Sequence, residues 1–74
     1  MDRAGITQRQ SQVFTFVRTA IEGNGYSPSM VEIGDGLGMS SSNASAIVSR
    51  LVERGWLLRV PGYPRSLIVV GDAT

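Results

Sequence analysis

The sequence predicts a small α+β domain, mainly helical, in which three helices precede a β-hairpin. Three observations predict it. Thr7-Gln8-Arg9-Gln10 and Ser29-Met30-Val31-Glu32 both have the form of a capping box, in which an N-terminal hydroxyl and a Glu or Gln three residues on satisfy each other's free backbone N–H groups. Ser40–Gly55 then carries apolar residues at helical spacing between a serine run and a glycine. After Gly55, two runs rich in β-branched and aromatic residues flank a Pro-Gly pair.

The first helix is expected over about 7–22. Val13, Phe16, Val17, Ala20 and Ile21 recur on one side of it with Phe14 beside them, and Gly23-Asn24-Gly25 ends the pattern. Those aromatics are expected in the core rather than on a binding platform. Tyr26-Ser27-Pro28 is a connector, because Pro28 lacks an N–H and biases Ser27 to an extended conformation. A short second helix follows over 29–37, with Met30, Ile33 and Leu37 as its apolar positions. Gly34 and Gly36 each cost up to ~1 kcal/mol against Ala in a helix interior, so packing must hold this element. Gly38 ends it, and Met39 turns back to the core.

The third helix is expected over 41–54. At 100° per residue Ala44, Ile47, Val48, Leu51 and Val52 form a core face, opposite Ser42, Asn43, Ala46, Ser49, Arg50 and Glu53. A hydroxyl at Ser41 or Ser42 is the expected N-cap, and Gly55 the left-handed residue past the end. The outer face carries Ser, Asn and Ala where a solvated helix carries long Glu and Lys, and short side chains let a backbone approach another surface closely. A solvated face built from poor helix formers is the bland alternative. Strands are expected over 56–60 and 66–70. Val60-Pro61-Gly62-Tyr63 fits a type II turn between them, because Pro presets the first φ and Gly accepts the positive second one. The hairpin tip carries Tyr63 and Arg65 flanked by prolines, as a wing along a phosphate backbone requires; an ordinary exposed tip is the alternative.

Seventy-four residues make one domain, 1–74, with a single modest core. The absence of Cys removes disulfides and thiolate metal sites, and the absence of His removes the commonest metal ligand and general base, so no catalytic residue, metal or cofactor is expected. No apolar run approaches ~20 residues, and the N-terminus lacks the apolar core of a signal peptide, which predicts a cytoplasmic chain with no membrane partner. Net charge is +1, but it is unevenly spread. Residues 1–42 balance at −1, whereas 43–66 reach +3 through Arg50, Arg54, Arg59 and Arg65 against Glu53. All seven basic residues are Arg, which suits bidentate contact with phosphate or guanine. Two helices joined by a Gly-containing turn, the second polar on its outer face, outline a helix-turn-helix.

The order of helices, turn and hairpin resembles a winged helix-turn-helix, and specifically the N-terminal DNA-binding domain of the LexA family of SOS repressors. The resemblance covers about residues 6–70. It rests on ITQRQSQVF opening the first helix, GYSPSMVEIGDGLGM spanning connector and second helix, SSNA starting the third, LVERG closing it, and GYPRSLIVV in the wing. It implies that Ser41, Ser42 and Asn43, with Ala44 behind them, enter the major groove of double-stranded DNA, and that the Gly62–Arg65 hairpin lies near the backbone. The chain also departs from the family. Its third helix is one residue shorter between Asn43 and Gly55, and Ser45, Ala46 and Ile47 stand where an acidic pair is typical, so a different target sequence is expected. The Ser/Lys self-cleavage domain that dimerises those repressors is expected to be missing, and with it any protease function.

On this reading Arg50, Arg59 and Arg65 contact phosphate, with Tyr63 beside them on the wing. Ser42, Asn43, Ser45 and Ala46 meet base edges, where Asn bonds adenine bidentately and Ala meets a thymine methyl. Arg50 is also placed to read guanine, and Ser41 and Ser49 complete the surface. A bacterial or phage transcriptional regulator is expected, paired as a homodimer and binding no small molecule. The alternatives are a winged helix used for protein–protein contact, with Trp56 or Tyr63 exposed, and an accessory protein of phage DNA packaging or recombination.

Overall fold

A computed structural model describes residues 7–63 and 65–70. The ends of the expected 1–74 domain and Pro64, expected to stiffen the wing tip, lie outside the described residues. The chain runs α1 (Gln8–Asn24), α2 (Met30–Leu37), α3 (Ser41–Glu53), β1 (Leu57–Arg59) and β2 (Leu67–Val69).

Both capping boxes form. The Thr7 hydroxyl accepts from Gln10 N–H at 3.1 Å while the Gln10 side chain accepts from Thr7 N–H, and Ser29 and Glu32 repeat the exchange. α1 runs two residues past the expected end, through Gly23 and Asn24, because the left-handed residue that stops it is Gly25, at φ 84°. The phase within α1 also differs from expectation. Phe14, with Val13 and Val17, is fully buried, whereas Phe16 is only half-buried. Phe14 receives the edge of Trp56, ring centroids 5.5 Å apart and planes at 71°, a favourable T-shaped pair. Phe16 leans on α2, where a Cβ on Gly36 would run into its ring.

α2 and α3 are joined by a tight turn. Gly38 takes φ 72°, and Met39 N–H returns to the Gly34 carbonyl at 2.9 Å. Gly34 is buried there because a Cβ would collide with the Met39 carbonyl oxygen. The N-cap of α3 is Ser40, not Ser41 or Ser42: its backbone is extended and its hydroxyl accepts from Asn43 N–H at 3.1 Å, while the helix itself begins at the expected Ser41. At the other end Trp56 N–H bonds the Leu51 carbonyl and Gly55 N–H the Val52 carbonyl, the paired bonds of a Schellman turn. That turn delivers the chain to the hairpin.

β1 and β2 pair antiparallel, Leu57 with Val69, Leu58 with Ile68 and Arg59 with Leu67. The strands are shorter than the expected 56–60 and 66–70. Leu57 and Leu67 close the core formed by Val13, Phe14, Val17, Ile33, Ala44, Val48 and Leu51. Alternation along the strands turns Leu58 and Ile68 outward. At the tip Gly62 has φ 87° and Tyr63 N–H reaches the Val60 carbonyl at 3.3 Å, in keeping with the type II turn.

Candidate nucleic-acid interface

The core face of α3 leaves a graded outer face. Its first two turns present Ser41, Ser42, Asn43 and Ala46 exposed and Ser45 half-buried, and its last turn carries half-buried Ser49 beside exposed Arg50. Because Ser40 does the capping, the hydroxyls of Ser41 and Ser42 remain unspent. Among the described residues, the side chains of Ser41, Ser42, Asn43, Ser45 and Ser49 make no hydrogen bond; Asn43 is engaged through its backbone N–H alone, by the Ser40 cap. A surface whose donors and acceptors are unsatisfied internally is equipped to bond something else. Glu53 lies at the far end of the same face, so an anionic partner is better met by the N-terminal turns, where the helix end adds its own positive partial charge.

Two grooves flank these turns. One, of about 520 Å³, is lined by Ser41, Ser42 and Ser45 of α3, Arg59 and Tyr63 of the hairpin, and Ser29, Met30 and Val31 at the start of α2. The other, about 220 Å³, is lined by Asn43, Ala46 and Ile47 with Met39 and Arg9. The structure thus brings wing and helix residues to one groove, and sets Asn43 on the opposite flank beside the first turn of α1. Arg9, Ser29 and Val31 were not legible as site residues. Their neighbourhood depends on how the helices cross, and no local pattern encodes that.

Arg50, Arg54 and Arg59 are exposed, and among the described residues none is in an ion pair. Their charge is uncompensated. Arg65 differs in that its guanidinium has partners within the fold. Its guanidinium grips Glu32 with both nitrogens, Nη1 to Oε1 at 2.7 Å and Nη2 to Oε2 at 2.9 Å. Nη1 also donates to the Ser27 carbonyl at 3.2 Å, and the group lies 5.4 Å over the Tyr26 ring. The fork geometry of Arg suits such a carboxylate. Beside it the buried Ser27 hydroxyl accepts from Leu67 N–H at 3.3 Å, so the hairpin is tied to the connector at two points. The bonds from Arg65, then the Ser29 N–H, hold the Glu32 carboxyl down at about 2, and Glu32 in turn raises Arg65 further. Arg65 is a strut of the wing.

Of the two aromatics whose exposure would support the protein-contact alternative, Trp56 is half-buried against Phe14 and Tyr63 is exposed. A further cleft, about 700 Å³ between α1 and the end of α2, is lined by Gln8, Arg9, Gln12 and apolar or hydroxyl groups, with no carboxylate among them. Among the described residues no cluster of three or more His, Cys, Asp or Glu could hold a metal ion, and no helix is long and apolar enough to cross a membrane.

Two helices joined by a tight glycine turn, an unsatisfied polar face on the second, and a hairpin whose tip shares its groove define a winged helix-turn-helix of the DNA-binding class. The model of the LexA DNA binding domain matches residues 3–66, and the chain belongs to that family. It is similar to the LexA repressors of Staphylococcus aureus strains USA300 and Mu50, each 39% identical over 70 residues. The matched region is 93% of this chain and 34% of those proteins, so the chain spans about a third of the length of the relatives it matches.

Proposed function

We propose that the domain binds double-stranded DNA sequence-specifically through the N-terminal half of α3 and regulates transcription in a bacterium or its phage, without chemistry of its own. Ser41, Ser42, Asn43, Ser45 and Ala46 meet base edges in the major groove. Arg50, Arg59 and Tyr63 meet the sugar-phosphate backbone, with Ser49 closing the surface between them. Arg54 and Arg9 join the phosphate set, on charge and on position respectively. The observation that carries this reading is the unspent polar edge of α3 lying between Arg59 and Tyr63 on one side and Arg9 on the other. Phosphate contacts on both flanks set the register, and base contacts between them specify the sequence.

Affinity against salt tests it. Three or four Arg–phosphate contacts predict a slope of log K on log salt of about −2.7 to −3.6, since each neutralised phosphate contributes about −0.9. The measurement is made on a duplex recovered by selection from random sequences and on a scrambled control. A slope near zero, or equal affinity for both duplexes, refutes the proposal.

A further inference from the structure

The groove between α3 and the hairpin has three walls. The N-terminal serines of α3 form one, Arg59 and Tyr63 of the hairpin the second, and the first turn of α2 the third. Glu32 stands in that turn of α2, and Arg65 follows Tyr63 by two residues at the hairpin tip. Neither lines the groove, yet their two-pronged pair ties its second wall to its third. The tip itself is braced. The Ser66 hydroxyl accepts from Val60 N–H at 3.1 Å and donates to the Tyr63 carbonyl at 2.8 Å, joining the two sides of the turn. Arg65 fastens this braced tip to α2 through Glu32 and to the connector through the Ser27 carbonyl, with its guanidinium over the Tyr26 ring. The two side chains are 43% and 48% exposed, and so exposed a pair adds little to the stability of a fold. What it fixes is the place of the wing.

We propose that Glu32 and Arg65 are positioning residues for base readout, touching neither base nor phosphate and setting the width of the groove in which the DNA backbone lies against α3. The inference rests on the DNA-binding reading above. A shift of the wing by about 1 Å shows which contacts depend on that width. A Ser or Asn bond to a base edge at ~2.9 Å stretches to ~3.9 Å, past the ~3.2 Å end of its usual range, and is lost. Serine cannot follow the base, because its hydroxyl lies one bond beyond Cβ. Arg59 keeps its phosphate through the same shift, since its side chain is long and the attraction between charges falls off slowly with distance. A wing that slips therefore loses discrimination and keeps its hold on DNA in general. An anion beside a DNA groove ordinarily weakens binding by repelling phosphate, so removing the charge of Glu32 separates the two roles by the sign of the effect.

The test uses the 74-residue protein, the selected duplex and copies of it changed at one base pair, with affinity measured against salt. Glu32→Gln removes the charge and keeps the capping box, since Gln serves there as Glu does. Arg65→Lys keeps the charge and loses the two-pronged grip. Each variant should lower the preference for the selected duplex by about fivefold or more, the lower end of what one base-edge contact supplies, at an unchanged salt slope. Combined, they should lower it no further than the larger single effect, as residues acting through one another do. An equal loss on every duplex would make the pair a support of the fold alone and overturn the proposal. Glu32→Gln binding every duplex more tightly with its preference intact overturns it too, because Glu32 would then act by repulsion. So does parental preference in Arg65→Lys, the result a direct phosphate contact predicts, and so do losses that add in the combined variant. Failure of the parent to prefer the selected duplex overturns the DNA-binding reading itself, and the positioning role with it.

Discussion

Three glycines inside helices separate backbone propensity from space. Replacing any of them by Ala gains up to ~1 kcal/mol of helix propensity, so differences among the variants report what the new methyl meets. At Gly23 it meets nothing within 4 Å. At Gly36 it meets the far edge of the half-buried Phe16 ring, which can swing aside. At Gly34 it meets the Met39 carbonyl oxygen, with the Ser40 carbonyl carbon and oxygen at 3.2 and 3.3 Å. That backbone is pinned by the Met39 N–H bond to Gly34 at 2.9 Å and cannot yield without opening the turn. Overpacking of this kind costs ~3 kcal/mol at the upper end of its usual range, leaving Gly34→Ala a net ~2 kcal/mol less stable. For a domain of this size each 1 kcal/mol shifts Tm by about 4–8 °C, so the variant should melt ~8–16 °C below the parent. Gly23→Ala should melt a few degrees above it, and Gly36→Ala within ~1 kcal/mol of it. Because Ser40 caps α3, Gly34→Ala should also weaken duplex binding at temperatures where it is still folded. Thermal melts of the three variants, read by circular dichroism, decide the matter. If Gly34→Ala melted with Gly23→Ala, the close approach of α2 to the turn would not exist.

Asn43→Ala should weaken binding to the selected site by ~1–3 kcal/mol and relax preference at one base pair, whereas equal loss on scrambled DNA would show that Asn43 does not read sequence. Arg59→Ala should weaken binding alike on every duplex and reduce the salt slope by about one unit, while Arg65→Ala, its charge already matched by Glu32, should leave the slope unchanged. Leu51→Ala should cost ~2–5 kcal/mol in urea denaturation because it empties the centre of the core; parental stability would mean the phase of α3 is misassigned. Glu32 is held at about 2 in the fold and ionises near 4.5 when free, so its contribution is complete above about pH 4.5 and is lost as pH falls through about 2. The urea midpoint of the parent should therefore exceed that of Glu32→Gln at pH 6 and converge on it toward pH 2.5, and a gap independent of pH would remove the Arg65 pair from the acid response.

The helix starts of α1 and α2 were legible because a capping box is a local bargain among four consecutive residues, and the sequence shows all of its parts. The N-cap of α3 was not, since Ser40, Ser41 and Ser42 offer the same hydroxyl and only the direction of the preceding turn selects Ser40. Phe14 and Phe16 were confused for a related reason: both fit a helical stripe within a residue, and the choice is made by Trp56, forty-two positions away and delivered by the turn at Gly55. The role of Arg65 was hidden most deeply. A basic residue at a hairpin tip reads as unpaired, and only the fold sets it against Glu32, thirty-three residues earlier.

That pairing changes the electrostatics of the proposed site. With Arg65 and Glu32 cancelling each other, the field over the outer surface comes from Arg50, Arg54 and Arg59 against Glu53, joined across the second groove by Arg9. These charges flank a strip of Ser, Asn and Ala rather than lying within it. Short side chains reach base edges only if the helix backbone itself comes close to the groove floor, and steering by phosphate contacts on both flanks sets that depth. The position of the wing therefore governs how deeply α3 sits, and the Arg65 strut governs the position of the wing. A loss at Arg65 should then appear as weaker discrimination between related duplexes at an unchanged salt slope, because what fails is the depth at which the bases are read and not the number of phosphates held.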